Sequence, residues 1–221
     1  MISHKYKCIF FHIPKTAGTS IEKKLEHFKT FKRSIQDHRT VKDIEPLSSH
    51  DLLKIIKHGD LTLVAKRLRN RLMGKVGVSK QHYDTYFKFT FVRNPWARVF
   101  SWYMNVMRDK KHQKDLGVSH NCSFKQFLNY HLDHWALRPQ LFWVTSINGE
   151  IPLDFIGRFE KLQEDFAHVC DVLNIKDNSL PTLVSSANPL YSDMYDEDMK
   201  NIVAKRYTDE IRFFKFEFGE G

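Results

Sequence analysis

A run of small and polar residues follows an apolar segment close to the start of the chain. Residues 8–13 are almost continuously apolar, and residues 14–20 then read PKTAGTS. Backbone N–H groups in such a loop, with the positive end of a following helix, can bind an anion. Lys15 adds a mobile positive charge, and three hydroxyl side chains add hydrogen-bond donors. The run therefore predicts a phosphate-binding loop.

The order of residues in this loop differs from the common nucleotide-binding motif GxxxxGK followed by Ser or Thr. In that motif the lysine follows the glycine-rich turn, whereas Lys15 precedes Gly18 by three residues. The sequence also offers no recognisable magnesium-binding aspartate. A P-loop-like kinase is therefore an alternative that matches the sequence less well.

A second unit of strand, loop and helix lies further along the chain. Aromatic and β-branched residues over 86–92 predict a strand. Arg93 stands at the end of this strand. Asn94 suits the N-cap of the next helix, and Pro95 suits its first turn, where a missing N–H costs nothing.

Strands and helices alternate along the whole chain. Strands are predicted at 8–13, 86–92 and 153–159, and amphipathic helices after the two loops, at 162–173 and at 199–214. Residues 31–85 are mostly polar and basic, with short helices predicted near 51–57 and 61–73. This order predicts a single α/β domain over residues 1–221, a P-loop-like three-layer sandwich with a central parallel β-sheet flanked by helices and a helical insertion at about 31–85.

The composition favours a globular protein that attracts anions. Of the 221 residues 42% are hydrophobic, and 35 Lys and Arg against 26 Asp and Glu give a net charge of +9. Such a field attracts nucleotides, acidic glycans or nucleic acid. A non-catalytic basic module that binds nucleic acid or acidic glycan is thus a second alternative. Because no nucleic-acid recognition motif is visible, we expect no nucleic-acid partner.

The cysteines and the apolar runs bear on the cellular location. Cys8, Cys122 and Cys170 are far apart and suggest neither a disulfide framework nor a metal site, which favours a reducing compartment. We find no signal-peptide pattern and no apolar run of membrane-spanning length. We therefore expect a cytoplasmic protein, in a bacterial or viral-host cytosol rather than as a trimmed Golgi catalytic domain. The sequence leaves the oligomeric state open.

The two loops together resemble a known pair of motifs. Residues 12–20, HIPKTAGTS, resemble the 5′-phosphosulfate loop of sulfotransferases, and residues 93–103, RNPWARVFSWY, resemble their 3′-phosphate motif RNPxxRxxSxY. Residues 157–160 and 195–218 are similar to the end of the carbohydrate sulfotransferase family that includes heparan sulfate 2-O-sulfotransferase and bacterial relatives, sulfotransferase family 2.

This resemblance implies a co-substrate and a division of roles. The co-substrate is 3′-phosphoadenosine 5′-phosphosulfate (PAPS), and its product is PAP. The 5′-phosphosulfate would be held by Lys15, Thr16, Ala17, Gly18, Thr19 and Ser20, and the 3′-phosphate by Arg93 and Ser101. Arginine suits the second task because its planar fork is permanently charged. The acceptor would be a hydroxyl of a carbohydrate, in a polysaccharide or glycolipid, with an anionic acceptor as one option, and no metal is expected.

Transfer of a sulfuryl group needs charge stabilisation on one side and proton removal on the other. We assign Lys15 to the leaving side, where its ammonium can follow the bridging oxygen. For the base, histidine has the suitable pKa. We favour His38 over His12, whose place in the strand before the loop is typical of a packed core histidine.

Other polar residues have an interpretation outside the site. Arg98 falls on the same helix face as Ser101, but a salt bridge to a neighbouring helix explains it equally well, so we leave it out. Residues 138–140 either contact the acceptor or form a simple turn. The basic run at 66–71 either attracts an anionic acceptor or is a solvated helix face.

Overall fold

The computed structural model describes residues 1–30, 36–57, 61–74, 77–181 and 190–220. Within them one four-stranded sheet has the strand order β1 (Ile2–Ser3), β2 (Cys8–Phe11), β3 (Phe87–Val92) and β4 (Phe155–Arg158). Strands β2, β3 and β4 are parallel, and β1 pairs antiparallel to β2. Because parallel strands end at the same edge, the loops that follow β2 and β3 start side by side.

Helices occupy most of the remaining described chain. The α-helices are α1 (Gly18–Lys24), α2 (Val41–Ile44), α3 (Ser49–Lys57), α4 (Leu61–Leu72), α5 (Lys80–Thr85), α6 (Pro95–Met107), α7 (Lys110–Leu116), α8 (Phe124–Tyr130), α9 (Gln140–Val144), α10 (Leu162–Val172), α11 (Glu197–Arg206) and α12 (Thr208–Phe214). Short 3₁₀ turns lie at Trp135–Leu137, Phe159–Lys161 and Tyr191–Met194.

The strands bury side chains on both faces, as their apolar sequences predict. On one face Phe10, Phe89 and Phe91 pack with apolar side chains of α1 and α10. On the other face Ile9 and Phe11 pack with apolar side chains of α2 and α5. The predicted α/β fold, with helices on both sides of a mostly parallel sheet, is confirmed; β1 adds an antiparallel edge strand that we did not predict.

The insertion between α1 and β3 is helical in its described part. It contains α2 to α5, and α3 and α4 lie where the short helices are predicted. Thr40 begins α2 with a capping box: its hydroxyl accepts from the Asp43 N–H, and the Asp43 carboxylate accepts from the Thr40 N–H. The parts of the predicted insertion at 31–35, 58–60 and 75–76 lie outside the described residues.

Two local predictions have different outcomes. The Asn94 side chain accepts from the Trp96 N–H and Pro95 occupies the first turn of α6, as expected. The single helix predicted over 199–214 is wrong, because the chain breaks into α11 and α12 at Tyr207, whose φ and ψ are −116° and 24°. Tyr207 is buried, and its hydroxyl donates to the Leu137 carbonyl over 2.7 Å, a tertiary contact that periodicity cannot reveal.

Candidate active site

The two predicted anion-binding motifs meet at the carboxyl edge of the sheet. Arg93 Nη1 donates to the Lys15 carbonyl over 3.3 Å. Arg98 Nε donates to the Pro14 carbonyl over 3.1 Å. Both contacts follow from the parallel pairing of β2 with β3, which brings together residues that are 78 and 84 positions apart in the chain.

The backbone of the first loop is held in an uncommon conformation. Lys15 and Ala17 have φ values of 71° and 66°, in the left-handed region that non-glycine residues seldom adopt. Gly18 leaves no room for a side chain, because a Cβ there would lie 1.9 Å from His12 Cδ2. Left-handed residues of this kind concentrate at sites where the surrounding structure fixes the backbone for a function.

The donor groups that the loop presents differ in part from the prediction. The Thr16 side chain is buried, and its hydroxyl donates to the Ile13 carbonyl over 2.9 Å. The hydroxyl of Thr16 therefore stabilises the loop from inside, and only its backbone N–H remains for a ligand. The Ser20 N–H donates to the Ala17 carbonyl. Among the described residues, no backbone hydrogen bond engages the N–H groups of 17–19.

Arg93 is half-buried in a pocket that keeps its guanidinium in place. The guanidinium carbon lies 3.9 Å from the centre of the Phe159 ring. Burial lowers the pKa of Arg93 to about 10, so the group stays charged at neutral pH. Its buried Nε has no hydrogen-bond partner in the described part of the chain. A charged, partly unpaired guanidinium at this edge suits an anionic ligand.

Two residues that sequence reasoning missed hold the backbone around Arg93. The buried Gln140 side chain accepts from the Arg93 N–H and donates to the Arg93 carbonyl, each over 2.8 Å. Glu160 Oε1 accepts from the Asn94 N–H over 2.7 Å. The only signal for them was their position in segments noted for other reasons, the turn at 138–140 and the motif at 157–160.

Arg98 belongs to the support of the site, contrary to the salt-bridge interpretation. Its side chain is fully buried and donates to the carbonyls of Pro14, Ala136 and Arg138. No ion pair involves it in the described chain. The guanidinium thus joins the predicted phosphate loop to the turn before α9. Ser101 is half-buried one turn further along α6, and no hydrogen bond joins it to Arg93 among the described residues.

His38 lies against the loop with a defined tautomer. Its Nδ1 is 3.0 Å from the His12 carbonyl oxygen. Since a carbonyl can only accept, Nδ1 carries the proton and Nε2 is the basic nitrogen. Burial, with the neighbouring His12 as a second cause, lowers the pKa of His38 to about 3. The imidazole is therefore neutral at neutral pH, with Nε2 unprotonated. His12 itself is buried, as predicted.

A cleft of about 660 Å³ adjoins His38. It is bounded by aromatic and basic side chains, among them Lys42, Lys66, Arg69, Trp135, Arg138 and Trp143. The ring centres of Trp135 and Trp143 are 5.4 Å and 6.2 Å from that of His38. The basic run at 66–71 and the turn at 138–140 therefore each contribute to the cleft, although Lys66 pairs with Asp43 at 2.6 Å.

The comparisons with known proteins agree with these motifs. A family model described as "Sulfotransferase family" matches residues 1–217. An uncharacterised protein from Archaeoglobus fulgidus is 35% identical over 102 residues, which cover 46% of this chain and 74% of that protein. Carbohydrate sulfotransferase 11 from Mus musculus is 26% identical over 162 residues, 61% of this chain and 46% of the relative. Carbohydrate sulfotransferase 14 from Danio rerio is 31% identical over 108 residues, 39% of this chain and 29% of the relative.

The matched part of this chain therefore spans less than half the length of those two named sulfotransferases. No solved structure matches the chain. Within the described residues no helix has both the length and the apolar character needed to cross a bilayer. In the same residues no group of three or more His, Cys, Asp or Glu side chains is placed to hold a metal ion.

Proposed function

Because this chain belongs to the sulfotransferase family, we propose that it transfers a sulfuryl group from PAPS to a hydroxyl of a carbohydrate and releases PAP. The observation that carries the proposal is the contact between Arg93 and Lys15, which joins the two anion-binding motifs at one edge of the sheet. PAPS has a phosphosulfate at one end and a 3′-phosphate on its ribose, so it needs two anion sites close together.

The proposed donor-binding roles follow from the residue types of each motif and from the place of each motif at the edge of the sheet. The Lys15 ammonium and the N–H groups of residues 16–19 would bind the 5′-phosphosulfate, with the Thr19 and Ser20 hydroxyls as further donors. The Arg93 guanidinium would bind the 3′-phosphate, and Ser101 would add a hydrogen bond from α6. Charge-assisted hydrogen bonds of this kind are about twice as strong as neutral ones.

In the proposed transfer step, Lys15 and His38 act on opposite sides of the sulfuryl group. The acceptor oxygen attacks sulfur, and a new O–S bond forms while the bond from sulfur to the bridging oxygen of the 5′-phosphate breaks. The electron pair of the broken bond leaves with PAP, where the Lys15 ammonium stabilises the developing charge. His38 Nε2 takes the acceptor proton as general base.

The cleft beside His38 suits a sugar as acceptor. The exposed Trp135 offers apolar surface to a sugar ring, while Lys42, Arg69 and Arg138 offer positive charge to acidic groups on neighbouring sugars. The two named relatives are carbohydrate sulfotransferases by name, which supports the same acceptor class. An acidic polysaccharide is therefore the acceptor that we favour.

Calorimetric titration at fixed salt tests the donor assignment. We expect PAP to bind much more tightly than ATP or adenosine 5′-phosphosulfate, which lacks the 3′-phosphate. Equal binding of ATP would favour the kinase alternative. Failure of PAP to bind, with salt-sensitive binding of acidic glycan, would favour the basic-module alternative. PAP release from PAPS is then measured with dextran, hyaluronan and desulfated heparin as neutral and acidic acceptors.

A further inference from the structure

The segment that carries His38 is fastened to the phosphate loop and its helix. Residues 36–40 belong to no helix or strand. Three hydrogen bonds fix the start of this segment: Gln36 Nε2 to Thr19 Oγ1, the Asp37 N–H to Glu22 Oε1 over 3.1 Å, and His38 Nδ1 to the His12 carbonyl over 3.0 Å. The position of His38 is therefore set by α1 and by His12, which directly follows β2, not by a helix or strand of its own.

Glu22 is the charged member of this arrangement. Its side chain is fully buried in α1. The oxygen that accepts from the Asp37 N–H also lies 3.1 Å from His12 Nδ1. One carboxylate oxygen thus contacts both the residue before His38 and the residue whose carbonyl fixes the His38 tautomer.

A buried carboxylate is costly unless its surroundings compensate for the charge. Burial by itself raises the pKa of Glu22, but the contact with His12 and the Asp37 N–H bring the pKa below its ordinary value. Glu22 Oε2 has no hydrogen-bond partner in the described part of the chain. A neutral side chain at this position would avoid the cost of burying a carboxylate, so the buried charge of Glu22 needs an explanation.

We propose that Glu22 is a positioning residue for His38, which holds the His38 segment in place and whose negative charge favours the imidazolium formed when His38 takes the acceptor proton. The inference rests on the proposed function, since it assumes that His38 is the base. The ring centres of His12 and His38 are 4.1 Å apart, so positive charge on one opposes charge on the other. The carboxylates of Glu22 and Asp37 offset this repulsion, although Asp37 also pairs with Arg39.

A double-mutant cycle tests the link to His38. We expect Glu22→Gln to lower kcat at least about tenfold, within the roughly 10²–10⁴-fold that a general base supplies. The affinity for PAP should not change. In a His38→Ala background Glu22→Gln should cause no further loss, because its effect acts through His38. Equal losses in both backgrounds would overturn the proposal.

Asp154→Asn serves as a control at a half-exposed carboxylate that also pairs with Lys88 Nζ over 3.2 Å. The Asp154 carboxylate also accepts a backbone N–H, that of Lys88 over 2.7 Å, but it lies at the opposite edge of the sheet, before β4. This variant should change the melting temperature without changing kcat. A comparable loss of kcat in Asp154→Asn would show that Glu22→Gln acts only through stability.

A spectroscopic measurement separates this inference from the proposed function. Nitrogen-15 spectra of the histidines in the free protein at neutral pH should show His38 protonated at Nδ1. Glu22→Ala should mix the two tautomers, while Glu22→Gln, which keeps an acceptor for the Asp37 N–H, should retain Nδ1–H. If the histidine signals behave in this way but the wild type shows no turnover, the sulfotransferase proposal is rejected and the positioning of His38 by Glu22 is not. An unchanged His38 signal in Glu22→Ala would reject the positioning role.

Discussion

Arg93 Nη1 donates to the carbonyl oxygen of Lys15, so the side chain of one predicted anion-binding motif is bound to the backbone of the other. Arg93 directly follows β3, and Lys15 lies in the loop after β2, the parallel neighbour of β3. The proposed donor, which has phosphates on both sides of its ribose, would therefore contact both motifs at once. The contact also means that a change at Arg93 affects the shape of the first loop.

Replacement of Arg93 should weaken donor binding more than any later step. We expect Arg93→Ala to reduce PAP affinity by roughly 1.5–3 kcal/mol, the usual range for a hydrogen bond to a charged group. Calorimetric titration measures the loss. Arg212→Ala removes an exposed arginine of α12 and should leave PAP affinity unchanged. Similar losses in both variants would mean that PAP responds to net charge and not to a site.

Replacement of Lys15 should abolish turnover, because no other ammonium is placed by this motif to follow the leaving oxygen. Lys15→Ala should retain much of the PAP affinity, since Arg93 and the loop N–H groups remain. The rate of PAP release from PAPS with the best acceptor checks this. Lys23→Ala, at an exposed lysine of α1, is the control and should turn over normally. Near-normal activity in Lys15→Ala would contradict the mechanism.

The Gly18 position should tolerate no side chain. A Cβ there would lie 1.9 Å from His12 Cδ2, so Gly18→Ala forces the imidazole or the loop to move. We expect a loss of about 1–3 kcal/mol in the free energy of unfolding, typical of overpacking, together with weaker PAP binding. A Cβ at Gly77 would meet no atom within 4 Å, so Gly77→Ala should hardly change the free energy of unfolding. Denaturant unfolding of both variants decides the matter.

His38 should make the protein less stable at mildly acidic pH. Its pKa falls to about 3 in the folded protein, whereas an exposed histidine has its usual value of about 6.5. Below that value the unfolded chain binds a proton that the folded chain does not, so stability drops as the pH falls from about 6.5 towards 3. Between pH 7 and pH 5 the protonation of His38 in the unfolded chain should lower the free energy of unfolding by about 2 kcal/mol.

Urea unfolding of wild type and His38→Ala over this pH range measures the difference. Between pH 7 and pH 5 the free energy of unfolding of His38→Ala should fall by about 2 kcal/mol less than that of the wild type, each measured relative to its own value at pH 7. It should also keep its PAP affinity and lose turnover. Parallel stability curves would show that His38 is not buried in its neutral form, and normal turnover would require another base.

Much of the fold follows from local sequence patterns. The apolar run before Pro14 and the aromatic run before Arg93 are typical of strands buried on both faces, and both form strands. Asn94 caps α6 because its side-chain oxygen can accept from the Trp96 N–H, which has no partner within the first turn of the helix. The motifs at 12–20 and 93–103 identify the family on their own, since their residue types and order are specific.

The sequence could not predict which polar groups the folded chain would use internally. The Thr16 hydroxyl donates to the Ile13 carbonyl, and the Arg98 guanidinium donates to backbone carbonyls. The Tyr207 hydroxyl donates to the Leu137 carbonyl at the break between α11 and α12. Each of these contacts joins residues through the fold or through a tight turn. Periodicity and motif spacing carry no information on such partners.

The sequence by itself determined the strand, loop and helix units, the family and the identity of Lys15 and Arg93 as anion-binding candidates, because these depend on residue types over short distances. Only the tertiary structure decided that Glu22 lies beneath the His38 segment, that His38 carries its proton on Nδ1, and that α4 and the turn before α9 border one cleft. Those features depend on the pairing of β2 with β3 and on the path of residues 36–40, which place groups distant in the chain within hydrogen-bonding distance.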